Sequence, residues 1–570
     1  MKKTRWVLQT PPEKYIIRKL QSDIGVDHTI AHLLAQRGIE CYDSAKTFFR
    51  PELDQLHDPL LMKDMSQAVQ RILRAIQQKE GILIYGDYDV DGTTAVAMSY
   101  LFLKKIHDNI KYYIPDRHEE GYGISFKGID FAVSNDFSLI IALDCGIKSL
   151  AKVEYAKKKG IEFIICDHHL PGEKIPQATA VLDPKRNDCY YPFKELSGCG
   201  IGFKLIQALA KTLNLPKKDV YNYLDLVAIS IAADIVPMTD ENRVFIFYGL
   251  QKLNQAPSRG INSLIETASN PISVSDIVFK IAPKINAAGR IKHAKQVVEL
   301  FLSDTKKKSD RLAYQISRLN DLRKELDRQT TQEALSLIED QQEQEHYSTV
   351  VYQPHWNKGI LGIIASRLIE THYRPTLVFT ESQGKLVASA RSVEGFDIHK
   401  ALEACSAYLE QFGGHKYAAG LTLDPKNFTP LKDHFEMIVR DNIDKTQRLP
   451  HINIDYEISL DEITPKFLRI LKQFEPFGPK NVRPIFLSRK VFDNGFATTI
   501  GNDRSHLRLN LQQQESFKTF TAIGFRIGRL LDFVKNNTFD IVYSIEENYW
   551  AGKNYNQLII KDLRESDPKL

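Results

Sequence analysis

The sequence predicts an α/β protein of several domains. A parallel-sheet domain is joined by a long helix to a smaller α/β domain, and a C-terminal β-barrel follows. Three observations predict this. Short apolar runs alternate with Lys-rich amphipathic stretches from Gly81 onward, and one helical pattern runs unbroken through the middle of the chain. Past His451 the pattern becomes short alternating strands with Gly-Asn, Asn-Asn and Ala-Gly-Lys-Asn turns. At 570 residues the chain exceeds one hydrophobic core. The divisions expected are a helical segment over 1–60, a sheet domain over 61–305, a connector helix over 306–346, a second α/β domain over 347–450 and a barrel over 451–570.

The sheet rests on Ile82-Leu83-Ile84-Tyr85, Leu139-Ile140-Ile141-Ala142-Leu143 and Phe163-Ile164-Ile165-Cys166, with Ala180-Val181-Leu182 as a fourth strand. Continuous apolar runs of this length between helices belong to parallel strands buried on both faces. The connector is drawn by Leu312, Ile316, Leu319, Leu322, Leu326, Leu335 and Ile338, which recur at helical spacing among charges and without proline. Thr349–Tyr352 and Leu377–Thr380 read as strands of the second domain. Ile452–Ile458, His506–Leu511 and Phe539–Ile545 read as strands of a barrel or a sandwich, which sequence does not separate.

Composition narrows the function classes. Forty-three per cent hydrophobic and 26% charged residues are ordinary globular values, and a net charge of +5 says little about nucleic acid unless it is clustered. The six cysteines form no CxxC pair, which fits reduced thiols and speaks against a zinc ribbon; Cys145 and Cys166 read as small buried hydrophobes. No signal-like or membrane-spanning apolar run occurs, so a cytoplasmic protein is expected.

The chemistry lies where the strands end. The first run leads into Asp87, Asp89 and Asp91, the second into Asp144 and the third into Asp167-His168-His169. Ligands of open parallel sheets bind beyond the carboxyl ends of the strands, so these acids would share one crevice. Such crowding of negative charge calls for divalent cations. Asp-x-Asp-x-Asp-Gly also opens a calcium-binding EF-hand loop, but that loop needs a closing Glu where Met98 stands and a helix where Ile82–Tyr85 reads as a strand. Oxygen-rich ligands with one or two imidazoles suit Mn²⁺ or Mg²⁺, and the carboxylates suffice for two ions about 3.5–4 Å apart, as in phosphodiester cleavage. Asp234, within apolar Ala232-Ala233-Asp234-Ile235-Val236-Pro237, is a further candidate because an unpaired acid there would be costly.

Tyr85-Gly86-Asp87-Tyr88-Asp89-Val90-Asp91-Gly92-Thr93-Thr94-Ala95 with Asp167-His168-His169 resembles the DHH phosphoesterase superfamily. Ala232–Pro237, Asn286-Ala287-Ala288-Gly289-Arg290, Gly362–Leu368, Ser389-Ala390-Arg391-Ser392 and Phe412–Gly420 narrow the resemblance to RecJ-type single-stranded-DNA exonucleases, from near Trp6 to about Asp562. The resemblance implies a DHH domain, a DHHA1 accessory domain and an OB-fold barrel. It also implies 5′-to-3′ removal of nucleotides from single-stranded DNA in recombination and repair. By matching positions, Asp87, Asp89, Asp91, Asp144, His168 and Asp234 would hold metal, with His169 touching metal or the scissile phosphate; Asp89, Asp91, His168 and His169 would be catalytic.

For the DNA, the resemblance points to Ser389 and Arg391, with Arg117, as the grip on a 5′ phosphate. Arg290 and Arg367, with Lys284 and Lys292 nearby, could clasp further phosphates through paired hydrogen bonds. Gly414 and His415 would let backbone N–H groups approach phosphate, unless Gly413-Gly414-His415 is merely a turn. DNA would thread the cleft between the two α/β domains, and Phe525, Tyr549 and Trp550 of the barrel are candidates to stack bases. A single-strand-binding protein and a helicase are the expected partners of a monomer. The chain departs from the family pattern at Asn357, usually His, and at Lys480 and Val482, usually Gly and Pro. Two rival readings are a DHH phosphodiesterase for very short or cyclic dinucleotides and a scaffold relative without metals. The small-substrate enzymes usually lack the connector and barrel, and the intact ligand positions oppose a scaffold.

Overall fold

The computed structural model describes residues 4–117, 119–265, 271–514, 516–550 and 553–566, side chains at 549, 550, 553 and 554 excepted. The stacking candidates Tyr549 and Trp550 therefore lie outside the described side chains. The chain forms two compact units. One comprises Trp6–Pro115, Tyr122–Ala282 and Ile452–Leu570; the other comprises Met1–Arg5, Asp116–Gly121 and Pro283–His451.

In the first unit the apolar runs form a five-stranded parallel sheet. Its strands are β1 (Gly81–Gly86), β2 (Ile110–Tyr113), β3 (Phe137–Leu143), β4 (Glu162–Cys166) and β5 (Ala180–Leu182), in the order β2-β1-β3-β4-β5. Every residue of β1 and β5 is buried, as a sheet covered on both faces requires. Short, half-polar β2 (Ile-Lys-Tyr-Tyr) carries too weak an apolar run to be read from sequence. The order reverses between β1 and β3, and such a switch point opens a crevice at the carboxyl ends. Gly86 pairs with Leu143 and Leu143 with Cys166, so the strands end level. Helix α1 (Val90–Leu103) follows β1, while α2 (Gly198–Thr212) and α3 (Leu224–Ala233) pack against it.

In the second unit α4 (Lys306–Asp340) is one helix of 35 residues. It buries Leu312, Ile316, Leu319 and Ile338, but Leu322 is 47% exposed and is no part of the apolar stripe. The whole helix lies within this unit. Its later turns cover β6 (Thr349–Tyr352) and α5 (Leu361–Thr371), with Ala334 and Ile338 in one core with Ile360, Leu361 and Ile364. The sheet continues through β7 (Thr376–Ser382), β8 (Lys385–Arg391), β9 (Gln411–His415) and β10 (Ala418–Leu423), in the order β9-β10-β8-β7-β6.

The C-terminal strands belong to the first unit: β11 (Tyr456–Glu457), β12 (Ile485–Asp493), β13 (Thr498–Ile500), β14 (His506–Gln513), β15 (Thr519–Gly524), β16 (Phe539–Trp550) and β17 (Lys553–Glu565). Ile452–Ile458, expected as one strand, is broken at Asp455, whose carboxylate turns to accept the Ile485 amide at 2.7 Å. The ring β12-β14-β15-β17-β16 closes through the β12–β14 pairing, with β15 and β17 parallel. It is therefore a barrel rather than a sandwich, with OB-fold strand order.

Helices Lys14–Ile24 and His28–Ala35 share one apolar core with this barrel, through Ile17, Leu20, Ile30 and Leu33 beside Phe467, Phe486 and Leu509. A buried arginine ties the segments together. Arg243 donates to the carbonyls of Phe48, Gln473, Phe474, Glu475 and Pro476 and lies 4.0 Å over the Phe48 ring. Burial pushes its pKa down to about 9, helped by Arg37. Arg243→Ala leaves these carbonyls without their donor and should destabilise the unit by about 3–5 kcal/mol. Arg243→Lys should recover only part, and the urea midpoint of the full chain checks both.

Candidate metal centre and phosphate pocket

Level strands put Asp87, Asp144 and Asp167 in one row, one residue past Gly86, Leu143 and Cys166. Asp144 has φ 60°, a left-handed conformation rarely adopted by residues other than glycine, and the pairing of its N–H with the Cys166 carbonyl at 2.8 Å helps hold it there. Asp89 caps α1 by accepting the Gly92 amide at 3.0 Å. Asp91 sits at the N-terminus of α2, accepting the amides of Gly198 (2.6 Å) and Cys199 (2.7 Å), with Ser230 Oγ at 2.6 Å. Asp234 follows the last turn of α3.

These elements converge on His168. Its Nε2 lies 3.2 Å from Asp144 Oδ1, 3.5 Å from Asp234 Oδ2 and 3.8 Å from Asp91 Oδ2. Two groups with metal-ligand spacing share this imidazole, Asp144-His168-His169 and Asp91-His168-Asp234, each with its ligand atoms within 4.8 Å. Asp87 and Asp89 fall outside both groups, although their charges act on Asp144.

The electrostatics are those of a site suited to cations. Burial first, then Asp91, Asp89, Asp234 and Asp87, hold the Asp144 carboxyl well above the usual range. Burial with Asp91 and Asp89 pushes Asp234 up to about 8, and burial with Asp91 raises Asp89. Burial keeps His168 below its ordinary value, which favours the neutral imidazole, the form that binds metal, and its Nδ1 is buried without a hydrogen-bond partner. Crowded carboxylates with a neutral imidazole and no thiolate fit a hard divalent cation.

Two residues that were given no role of their own, Asp167 and Tyr122, orient the site. Asp167 accepts the amides of His168 (2.8 Å) and Ile147 (2.8 Å) and His169 Nδ1 at 2.7 Å. Burial opposes its charge, but the hydrogen bond from His169 prevails and its pKa falls; the same bond raises His169 against its own burial. The other nitrogen of His169, Nε2, lies 3.1 Å from the Tyr122 hydroxyl. Asp167 was legible as the head of the Asp-His-His triplet; nothing in the local sequence around Tyr122 singled it out.

The second unit holds a cavity of about 290 Å³ lined by Arg290, Gly362, Ile363, Ser366, Arg367, Glu370 and Arg391. Arg391 donates to Ser389 Oγ at 3.0 Å, and a side chain on Gly362 would begin 2.5 Å from its guanidinium. Burial and then Arg117 lower its pKa. Arg290 donates to the Gly359 carbonyl at 3.0 Å, and Asn357 accepts the Gly359 amide at 2.8 Å, so this departure from the family pattern still caps the turn. Arg290, Arg367 and Arg391 thus gather along one face of α5, with Ser389 beside Gly362 and the Arg117 charge acting on Arg391. Gly414 and His415 do not line the cavity. They lie in β9, where a side chain on Gly414 would meet the Ala418 carbonyl at 2.3 Å, so the segment is a paired strand rather than a turn. Lys284 is half-buried and Lys292 exposed; in the barrel, exposed Phe525 packs against His506.

Residues 81–231 match the DHH family, N-terminal domain, residues 345–441 the DHHA1 domain and residues 454–562 the RecJ OB domain. Single-stranded-DNA-specific exonuclease RecJ of Bacillus subtilis is 34% identical over 575 residues, covering 100% of this chain and 72% of that protein. RecJ from Thermus thermophilus, solved with Mn²⁺, aligns with a TM-score of 0.84 at 26% identity over 99% of this chain and 80% of that one. The same protein solved with Mg²⁺ shares the fold, with a TM-score of 0.78 at 24% identity over 99% and 79%.

The raised carboxyls give a pH signature. A folded-state pKa near 8 against an ordinary 3.8 means that Asp234 contributes stability below pH 3.8 that is lost as pH rises through about 8. Mn²⁺, which replaces the proton, should therefore raise the melting temperature of the metal-free protein more at pH 8 than at pH 6. Equal increments at both pH values would contradict it.

Proposed function

The chain belongs to the RecJ family of single-stranded-DNA-specific exonucleases, and from that premise we propose that it removes mononucleotides from the 5′ end of single-stranded DNA with two divalent cations. The chain is a metal-dependent exonuclease, its cofactor Mn²⁺ or Mg²⁺. The observation that carries the reading is the convergence of Asp144, Asp91 and Asp234 on His168 at the switch point of the sheet. We assign metal binding to Asp87, Asp89, Asp91, Asp144, His168 and Asp234. Bound there, divalent cations would make a water nucleophilic at neutral pH and neutralise charge on the phosphate oxygens.

The residues of the chain supply the rest. Asp167 fixes the His169 ring through Nδ1, which leaves Nε2 to hold or give a proton at the scissile phosphate beside the Tyr122 hydroxyl. Arg391, Ser389 and Arg290, with Arg117 and Arg367, receive the 5′ phosphate; Gly414, His415 and the barrel contact the strand further along. Catalysis belongs to 61–305, phosphate recognition to 347–450 with Arg117 and Arg290, and strand binding to 451–570, with 1–60 as a helical segment whose helices Lys14–Ile24 and His28–Ala35 pack on the barrel and 306–346 as the connector. Among the described residues no helix is long and apolar enough to cross a membrane. A monomer in the cytoplasm, working with a helicase and a single-strand-binding protein in recombination and repair, fits this reading.

A single-stranded DNA with a 5′ phosphate and a 3′ label, incubated with Mn²⁺, should yield 3′-labelled fragments that shorten from the 5′ end, and EDTA should stop the reaction. An untouched strand beside a hydrolysed dinucleotide would instead mark a small-substrate enzyme. His168→Ala or Asp89→Ala should reduce hydrolysis at least about 10³-fold while DNA binding measured by anisotropy stays near wild type; wild-type rates would contradict the site. Arg391→Ala should remove most of the preference for a 5′-phosphorylated over a 5′-hydroxyl end.

A further inference from the structure

We propose that the turn Gly478–Asn481, in the C-terminal part of the chain, holds the Asp234 segment in register, making Gly478, Pro479 and Met238 positioning residues for the metal centre. This rests on reading Asp234 as a metal ligand. After α3 the backbone from Asp234 to Met238 belongs to no helix or strand. It is tied at its start by the Asp234 amide to the Ser230 carbonyl at 2.9 Å and at its end by the Met238 amide to the Pro479 carbonyl at 2.7 Å. Between them Ile235 has φ 59°, a conformation that a β-branched residue adopts only where its surroundings impose it. Met238 is 1% exposed, and a side chain on Gly478 would begin 2.6 Å from its Cε and 3.2 Å from its Cβ.

The turn is itself immobilised. Gly478 and Asn481 exchange backbone hydrogen bonds of 3.0 Å. Asn481 donates to the Phe474 (2.8 Å) and Pro476 (2.9 Å) carbonyls and accepts Arg37 Nε at 2.9 Å, while Arg37 also donates to the Val482 carbonyl at 2.7 Å. Lys480, at φ 62°, is held where glycine would be easier. A fixed turn pressed on Met238, four residues from Asp234, transmits its position to the carboxylate, and metal ligands tolerate displacements of only about 0.5 Å.

The test uses the full chain as Gly478→Val, Gly478→Ala and the double variant Gly478→Val/Met238→Ala. Mn²⁺ binding to metal-free protein is titrated by calorimetry, alongside the Mn²⁺ concentration for half-maximal hydrolysis. Gly478→Val should weaken Mn²⁺ binding about 10-fold or more, raise the half-maximal concentration by more than it lowers kcat, and recover to within about 3-fold in the double variant. Unchanged Mn²⁺ affinity in folded Gly478→Val, or a loss that Met238→Ala leaves in place, overturns the proposal. If Gly478→Val melts below the assay temperature, Gly478→Ala decides by the same criteria with a smaller expected loss of about 3-fold. Asp234→Ala separates the premise: wild-type Mn²⁺ affinity there defeats the ligand reading itself, whereas a loss there with insensitive Gly478 variants defeats only the positioning role.

Discussion

Like charges brought together by strand register govern this protein. Gly86, Leu143 and Cys166 share one row of the parallel sheet, so the acids that follow them face one crevice. At Asp144 and Asp234 burial disfavours ionisation and neighbouring carboxylates add to it, which pushes Asp144 well up and Asp234 to about 8. A sheet that bundles charge this way is complete only with a positive counterpart. The surrounding structure keeps the acids in place: the N-terminus of α2 on Asp91, the α1 cap made by Asp89, and the left-handed backbone at Asp144.

The two imidazoles of the triplet divide their duties through environment. His168, enclosed by burial, is biased toward the neutral form and faces three carboxylates; His169, fastened to Asp167, is biased toward its proton. Adjacent residues of one type thus take opposite electrostatic characters because only one of them is hydrogen-bonded to a carboxylate. The arginines of the other unit follow a different logic, in which a glycine gives a guanidinium room against a helix N-terminus.

Much of this was legible in the residues. Strands β1, β3, β4 and β5 announced themselves as apolar runs, and the acids at their ends marked the crevice, because burial on both faces and ligand binding at carboxyl ends are local and periodic signals. Strand β2 was not legible, its polar residues sitting at a sheet edge. Leu322 matched the helical stripe of α4 yet faces solvent, since spacing identifies a face but not where its partner ends. Gly413-Gly414-His415 could be read as a turn, and cross-strand pairing makes it part of β9. Tyr122 and Ser230 reach the centre from remote parts of the chain, and periodicity carries no information about such encounters. The resemblance to the DHH superfamily supplied the reaction; the packing of the first helices on the barrel came only from the fold.

That packing sets an order of events. Helices Lys14–Ile24 and His28–Ala35 are synthesised long before the surfaces that bury Leu20 and Leu33, and Arg37 meets Asn481 and Val482 across separations of 444 and 445 residues. Contacts of such span are slow to form because the intervening loop must close first. These early helices therefore wait, apolar face uncovered, while the sheet and its acids fold, and the unit is sealed only when the barrel arrives to receive them.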